Sequence, residues 1–200
     1  MTDYKPGSFF LAHITGPVGY GIALGQALAG SASRWTHAGL ILDADGTILE
    51  AEPGGARIAN LREYEGRPLL ISDAPVQREV QRYTARRRSA ISGPPEWFDA
   101  ICRGHVVTEA RKLVGVPYSP LDYVALAALH LHLPSTWIRK RVESSGHMIC
   151  SQLVDAVYLR VGIHLFDDGR LPGDVMPADL AAWAEDHGNW GIPPMQGVAP

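Results

Sequence analysis

Two side chains, Cys150 and His37, have the residue types and local settings that nucleophilic catalysis requires, although they lie far apart in the chain. Cys150 follows a Ser-Ser-Gly-His loop and falls near the start of MICSQLVDAVYLRVG, where Leu153, Val154, Val157, Tyr158 and Val161 recur at helical spacing. The first N–H groups of a helix lack partners within it, and their partial positive charge favours a thiolate. The same groups suit the oxyanion of a tetrahedral intermediate. A buried cysteine serving as a small hydrophobe is the competing account of Cys150.

His37 lies in WTHAGLIL, a strand pattern in which alternation puts His37, Gly39 and Ile41 on one face. Its small neighbours Ala38 and Gly39 leave room for another group above the ring; a core or edge histidine with a backbone partner is the alternative. The turn DADG (Asp43 to Gly46) folds TILEAE back beside this strand. With Leu42 opposite Thr47, Glu50 falls near Gly39 and Glu52 near His37. Both glutamates share a face, and a carboxylate beside the imidazole would fix its tautomer and stabilise imidazolium. The usual fate of a strand glutamate is solvation, and residue counting leaves the choice between Glu50 and Glu52 open.

Other chemistry-bearing residues form poorer constellations. Cys102 and His105 share a helix face in WFDAICRGHVV, as a core cysteine beside a surface histidine. His130 and His132 are two apart in a helical stretch and make a poor metal pair. His147 stands near Cys150 in a loop. GPVGYG has the wrong spacing for a dinucleotide loop, and there is neither a zinc signature nor a serine nucleophile elbow. No metal or cofactor is expected.

The elements that must position these residues change character along the chain. Strands are expected over 8–14, 35–42, 47–52 and 67–73, with a short one in ARIANL; a helix is expected over 19–30. Helical spacing then dominates from Val76 to Ala90, from the SGPPE breaker to about Val114, through LDYVALAALHLHL and TWIRKRV, from Met148 to Gly162, and in PADLAAWAED. A strand-rich first half before a helical second half predicts an α+β fold with a small antiparallel sheet. One domain over 1–200 is expected, with a loosely ordered Pro/Gly-rich tail from about 190.

The formal net charge is −3, so no basic field advertises nucleic acid, and the run RYTARRR reads as a solvated helix face. Two cysteines make no disulfide framework. The N-terminal stretch lacks the charged and long apolar regions of a signal peptide, and Val124 to Leu133 is too short to span a bilayer. A soluble protein made in the cytoplasm is therefore expected, with export by an unusual route still open.

Taken in order, WTHAGLIL, DGTILEAEPGGARI, GVPYSPLDY, and CSQLVDAVYLRVGIHLF followed by MPADL resemble the circularly permuted branch of the NlpC-type papain-fold cysteine peptidases. YiiX-like proteins belong to that branch, and lecithin retinol acyltransferase-like enzymes are relatives. The resemblance covers nearly the whole chain and rests on the order and spacing of short motifs. It implies Cys150 as nucleophile, His37 as base and Glu50 as the orienting residue, since Ala51 supplies the small residue that follows; Glu52 is held in reserve. A bulge at the Asp-Gly turn is expected to shift the pairing toward Glu50, and Pro53 to end the strand so that Glu52 is solvated. Tyr118 of GVPYS matches a recurrent tyrosine and is expected to border the site.

No side-chain oxyanion donor is matched, which leaves that role to the Cys150 backbone. The implied substrate is an amide, such as a peptide, an isopeptide or a peptidoglycan stem peptide. The rival expectations are a lipid-directed acyltransferase or phospholipase, in which YVALAALHLHL meets a membrane, and a non-catalytic binding module.

Overall fold

A computed structural model of the chain describes residues 4–28, 30–31, 33–86, 93–118, 148–170 and 172–187. The expectations for the segments LDYVALAALHLHL and TWIRKRV, for His130, His132 and His147, for the end of the basic run and for the C-terminal tail lie outside these residues. Among the described residues, five strands form one antiparallel sheet: β1 (Phe9–Ala12), β2 (His37–Ile41), β3 (Thr47–Glu52), β4 (Gly55–Asn60) and β5 (Leu69–Ser72), in the order β4-β3-β2-β1-β5. The described helices are α1 (Pro17–Leu28), α2 (Ala74–Arg86), α3 (Pro95–Arg111), α4 (Cys150–Arg160) and α5 (Pro177–Asp186). The architecture is α+β with a small antiparallel sheet, as the strand-rich first half and helical second half predict.

The β2–β3 hairpin sets the register on which the rest depends. Asp43 Oδ1 accepts from the N–H groups of Asp45 and Thr47 at 3.1 and 2.9 Å, which closes the turn with the aspartate's own side chain. Leu42 N–H then donates to Thr47 O at 2.7 Å, and the pairs Ile41–Ile48, Leu40–Leu49 and Gly39–Glu50 follow in step. The expected bulge is therefore absent from this pairing. The Asp43 cap satisfies the turn without an extra residue, so the simple count holds.

Alternation divides the sheet's side chains between two cores. Phe9, Leu11, Ala38, Leu40, Leu49 and Ala51 join one cluster with α4 residues Leu153, Val154 and Val157. Phe10, Ala12, Ile41 and Ile48 join the other with Leu61, Tyr64 and Ile71. Strand β1 is buried along its whole length, because both faces are covered and neighbours pair on both edges. Burying each large apolar side chain there contributes about 1.5–3 kcal/mol. After β4 a 3-10 turn, Leu61–Tyr64, begins at Asn60, whose side chain accepts from Arg62 N–H, and the turn presses Leu61 and Tyr64 onto the second core. Strand β5 then pairs with β1 on the far side of the sheet rather than with β4. Among the described residues, no helix is long and apolar enough to cross a membrane.

Candidate active site

Cys150 is the first residue of α4, and neighbouring side chains hold that helix start in place. Gln152 turns back so that its Oε1 accepts from Ile149 N–H at 3.1 Å, a helix-capping contact, while its Nε2 donates to Gly173 O at 2.8 Å. Ser151 Oγ donates to Val175 O at 2.7 Å. The first turn of α4 is thus tied to the 172–176 loop, and Cys150 is 1% exposed. Its N–H is one of the helix's first donors, which have no acceptor within the helix.

His37 opens β2 and pairs with Ala12 of β1, so its ring lies at the end of the sheet rather than over its middle. There it faces Cys150 across the gap between sheet and helix, close enough for the two groups to interact. The ring's Nε2 lies 2.9 Å from Glu50 Oε2, which leaves Nδ1 for the sulfur. Burial alone would push the His37 pKa down. The interaction with Cys150, then the hydrogen bond to Glu50, and the charges of both groups outweigh burial and lift it to about 10. The raised pKa favours imidazolium, which donates Nε2–H to Glu50 and turns Nδ1 toward Cys150.

Glu50 is fully buried, and three groups surround its carboxylate. Oε2 accepts from His37 and also from Tyr64 OH at 2.5 Å. Oε1 lies 2.6 Å from Arg57 Nη2, an ionic contact whose angle is poor for a hydrogen bond. Burial alone would raise the Glu50 carboxyl pKa; His37, ahead of Tyr64 and Arg57, holds it below its ordinary value. Arg57 faces Glu50 by the β3–β4 register and also pairs with Glu52 and Glu63. Glu52, whose side chain is 40% exposed, stands at the end of β3 and meets Arg57 Nε at 3.1 Å. It is Glu50 that contacts His37.

Tyr118 reaches the same region through a clip between sheet and helix. Ala56 and the segment Gly115–Val116 exchange two hydrogen bonds of 2.8 Å, and Met148 N–H donates to Pro117 O at 3.0 Å. Gly55 permits this approach: its φ is +117, and an added Cβ would meet Val116 O at 3.0 Å. Tyr118 is half-buried against Ile22, Ile149 and Met176. Burial, then the charges of Cys150 and Glu52, raises its pKa, which keeps the phenol protonated beside the sulfur.

The structure thus brings Cys150, His37, Glu50 and Tyr118 together and leaves Glu52 at the rim. Cys102 is half-buried in α3 rather than a full core residue, because it lies on that helix's flank; burial, Glu79 and Asp99 raise its thiol pKa. His105 is exposed on the same helix. Among the described residues, no group of three or more His, Cys, Asp or Glu side chains is arranged to hold a metal ion. Sequence reasoning missed Arg57 and Tyr64. Arg57 had a signal, since it falls opposite Glu50 if ARIANL pairs with TILEAE. Tyr64 had none, because a 3-10 turn delivers it. No family model and no curated protein matches the chain.

Proposed function

We propose that this chain is a cysteine hydrolase that cleaves amide bonds through a thioester on Cys150. The observation that carries the proposal is the chain of contacts from Cys150 at a helix start, through His37, to the buried Glu50. The order of these groups, a His strand, then a carboxylate strand, then a Cys helix, supports a circularly permuted papain-like fold of the NlpC type.

In the reaction, the Cys150 sulfur attacks the carbonyl carbon and the C=O electrons move to oxygen. The oxyanion forms beside the Cys150 N–H at the start of α4. His37 Nδ1 gives its proton to the leaving amine as the C–N bond breaks, and the thioester remains. Neutral His37 then takes a proton from water, whose oxygen attacks the thioester. Collapse expels the thiolate, releases the acid and restores imidazolium. Glu50 keeps the ring oriented and its positive charge stabilised throughout. The peptide class includes peptidoglycan stem peptides and isopeptides.

Helix α1 favours a lipid acyl group as a second reading. It carries no charged residue, exposes Tyr20 and Leu24, and packs Ile22 on Ile149 beside the nucleophile. The test is to incubate the full chain with peptide amides, a stem tetrapeptide and phospholipid vesicles, and to seek an acyl adduct by intact mass. The expected result is turnover of an amide and a hydroxylamine-labile adduct on Cys150, lost in Cys150→Ser and kept in Cys102→Ser. Vesicle-dependent deacylation alone moves the assignment to the lipid reading. No adduct from any probe, with the fold intact, overturns both.

A further inference from the structure

The aim of Glu50 at His37 is not explained by the strand pairing. Glu50 stands opposite Gly39, so its carboxylate must lean along the strand to reach the ring. A glutamate has three rotatable side-chain bonds, and several rotamers are open to it unless its neighbours exclude them. We propose that Tyr64 is a positioning residue that holds Glu50 in this lean and thereby keeps the His37 ring turned toward Cys150. The proposal rests on the cysteine-hydrolase reading for its catalytic consequence, though not for its geometry.

Three observations meet at Tyr64. Its OH donates to Glu50 Oε2, the oxygen that also takes His37 Nε2, so that one atom is fixed from two directions. Its ring lies nearly parallel to the imidazole, 16° apart with centroids at 5.9 Å. Phe10 packs at 5.5 Å from Tyr64 and 6.2 Å from His37, which braces both rings. Tyr64 is 3% exposed and sits in the 3-10 turn, so the donor is held by packing rather than by its own side chain alone. Burial, with the charge of Glu50, also keeps the phenol protonated and able to donate. Arg57 grips the other carboxylate oxygen but is partly exposed and shared with Glu52 and Glu63, so it fixes charge more firmly than direction.

The variant Tyr64→Phe removes one oxygen and keeps the ring stack. The charged and titratable groups around His37 are Cys150 on α4, Glu50 and Glu52 on β3, Arg57 on β4, Tyr64 in the 3-10 turn and Tyr118 in the clip, and only the phenol changes. NMR titration of His37 separates the two possible roles. If Tyr64 positions Glu50, its loss lets the carboxylate swing away and the His37 pKa falls. If Tyr64 merely competes for Oε2, its loss frees that oxygen for His37 and the pKa rises.

The expected results are a lower His37 pKa, slower alkylation of Cys150 by iodoacetamide at neutral pH, and a kcat reduced by up to about 100-fold with KM little changed. An unchanged or raised His37 pKa in the folded variant overturns the proposal. Should Tyr64→Phe fail to fold, Tyr64→Leu and Arg57→Gln take its place. Tyr64→Leu, which removes the donor without adding volume, must lower the His37 pKa, whereas Arg57→Gln, which removes a positive charge from beside Glu50, must not. The NMR and alkylation readouts need no substrate, so they remain decisive even if the hydrolase reading fails.

Discussion

Glu50 pairs with Gly39 in the sheet but hydrogen-bonds His37, two residues farther along the same strand. Diagonal neighbours on one face of an antiparallel pair lie within reach of a long side chain. Gly39 is the residue that makes the diagonal available, because no side chain stands between Glu50 and the ring. A Cβ at Gly39 would meet Phe10 Cε1 at 2.5 Å and Leu49 O at 2.7 Å.

Gly39→Ala is therefore expected to destabilise the fold and to disturb the site. The added methyl group strikes a backbone oxygen as well as a packed ring, and overpacking of this kind costs about 1–3 kcal/mol. A denaturant melt measures the first effect, and the rate of Cys150 alkylation in the folded variant measures the second. A variant as stable as the parent contradicts the close packing argued here.

Glu50→Gln and Glu52→Gln separate the two glutamates. Glu50→Gln leaves a neutral partner for a buried imidazolium, so hydrolysis should fall by at least about tenfold and alkylation of Cys150 should slow. Glu52→Gln changes a partly exposed rim contact with Arg57, and both rates should stay within about twofold. Truncation to Glu50→Ala strands the charge of His37 in the interior and is expected to cost about 3–5 kcal/mol of stability.

His37 should titrate near pH 10 by NMR, and Cys150→Ala should move that titration down, since the contact with Cys150 is the first of those that outweigh burial. The linked stability has a definite sign. The folded pKa lies above the ordinary 6.5, so this contribution is complete below about pH 6.5 and is lost as pH rises through about 10. Glu50 has the opposite sign: its contribution is present above the ordinary carboxyl pKa of 4.5 and is lost as pH falls through its lowered value. Unfolding free energies of the parent and of His37→Gln across pH 5–11 should converge at the alkaline end.

The two cysteines should differ toward iodoacetamide. Cys150 lies against the His37 imidazolium, whereas burial and two carboxylates raise the Cys102 thiol pKa. Peptide mapping at neutral pH is expected to find Cys150 modified first, and His37→Ala should erase its lead. Faster labelling of Cys102 in the parent would count directly against the activated pair.

Asp155, on the buried face of α4, offers a test outside the site. Burial raises its carboxyl to about 6, with Arg170 and His164 offsetting only part of the effect. A folded pKa above the unfolded one means that stability declines as pH rises from about 4 to 6, by on the order of 1–3 kcal/mol. Asp155→Asn should accordingly raise the melting temperature at pH 7, with the gain shrinking toward pH 4.

Much of the scaffold follows from local sequence signals. Asp43 and Gly46 dictate the hairpin turn, and once Leu42 faces Thr47 the period of two puts Glu50 beside Gly39. The apolar spacing from Leu153 to Val161 yields α4, and Pro177 marks the start of α5. Cys150 at a helix start and His37 on a strand beside a glutamate strand were legible for the same reason: each depends on its near neighbours. The expected bulge is not needed, because a diagonal contact brings Glu50 to His37 without any shift of register.

What the tertiary structure alone decided is where separate elements meet. It placed Cys150 against His37, paired β5 with β1, and swung Tyr64 onto Glu50 from a 3-10 turn. It also raised the His37 pKa, although histidine itself is half-ionised near neutrality and burial alone lowers it. Periodicity specifies which face a side chain occupies on its own element. Which distant face it then meets is set by how the helices and the 3-10 turn close over the two faces of the sheet, and the charge state of His37 follows from burial and from groups delivered by two other segments, Glu50 by β3 and Cys150 by α4.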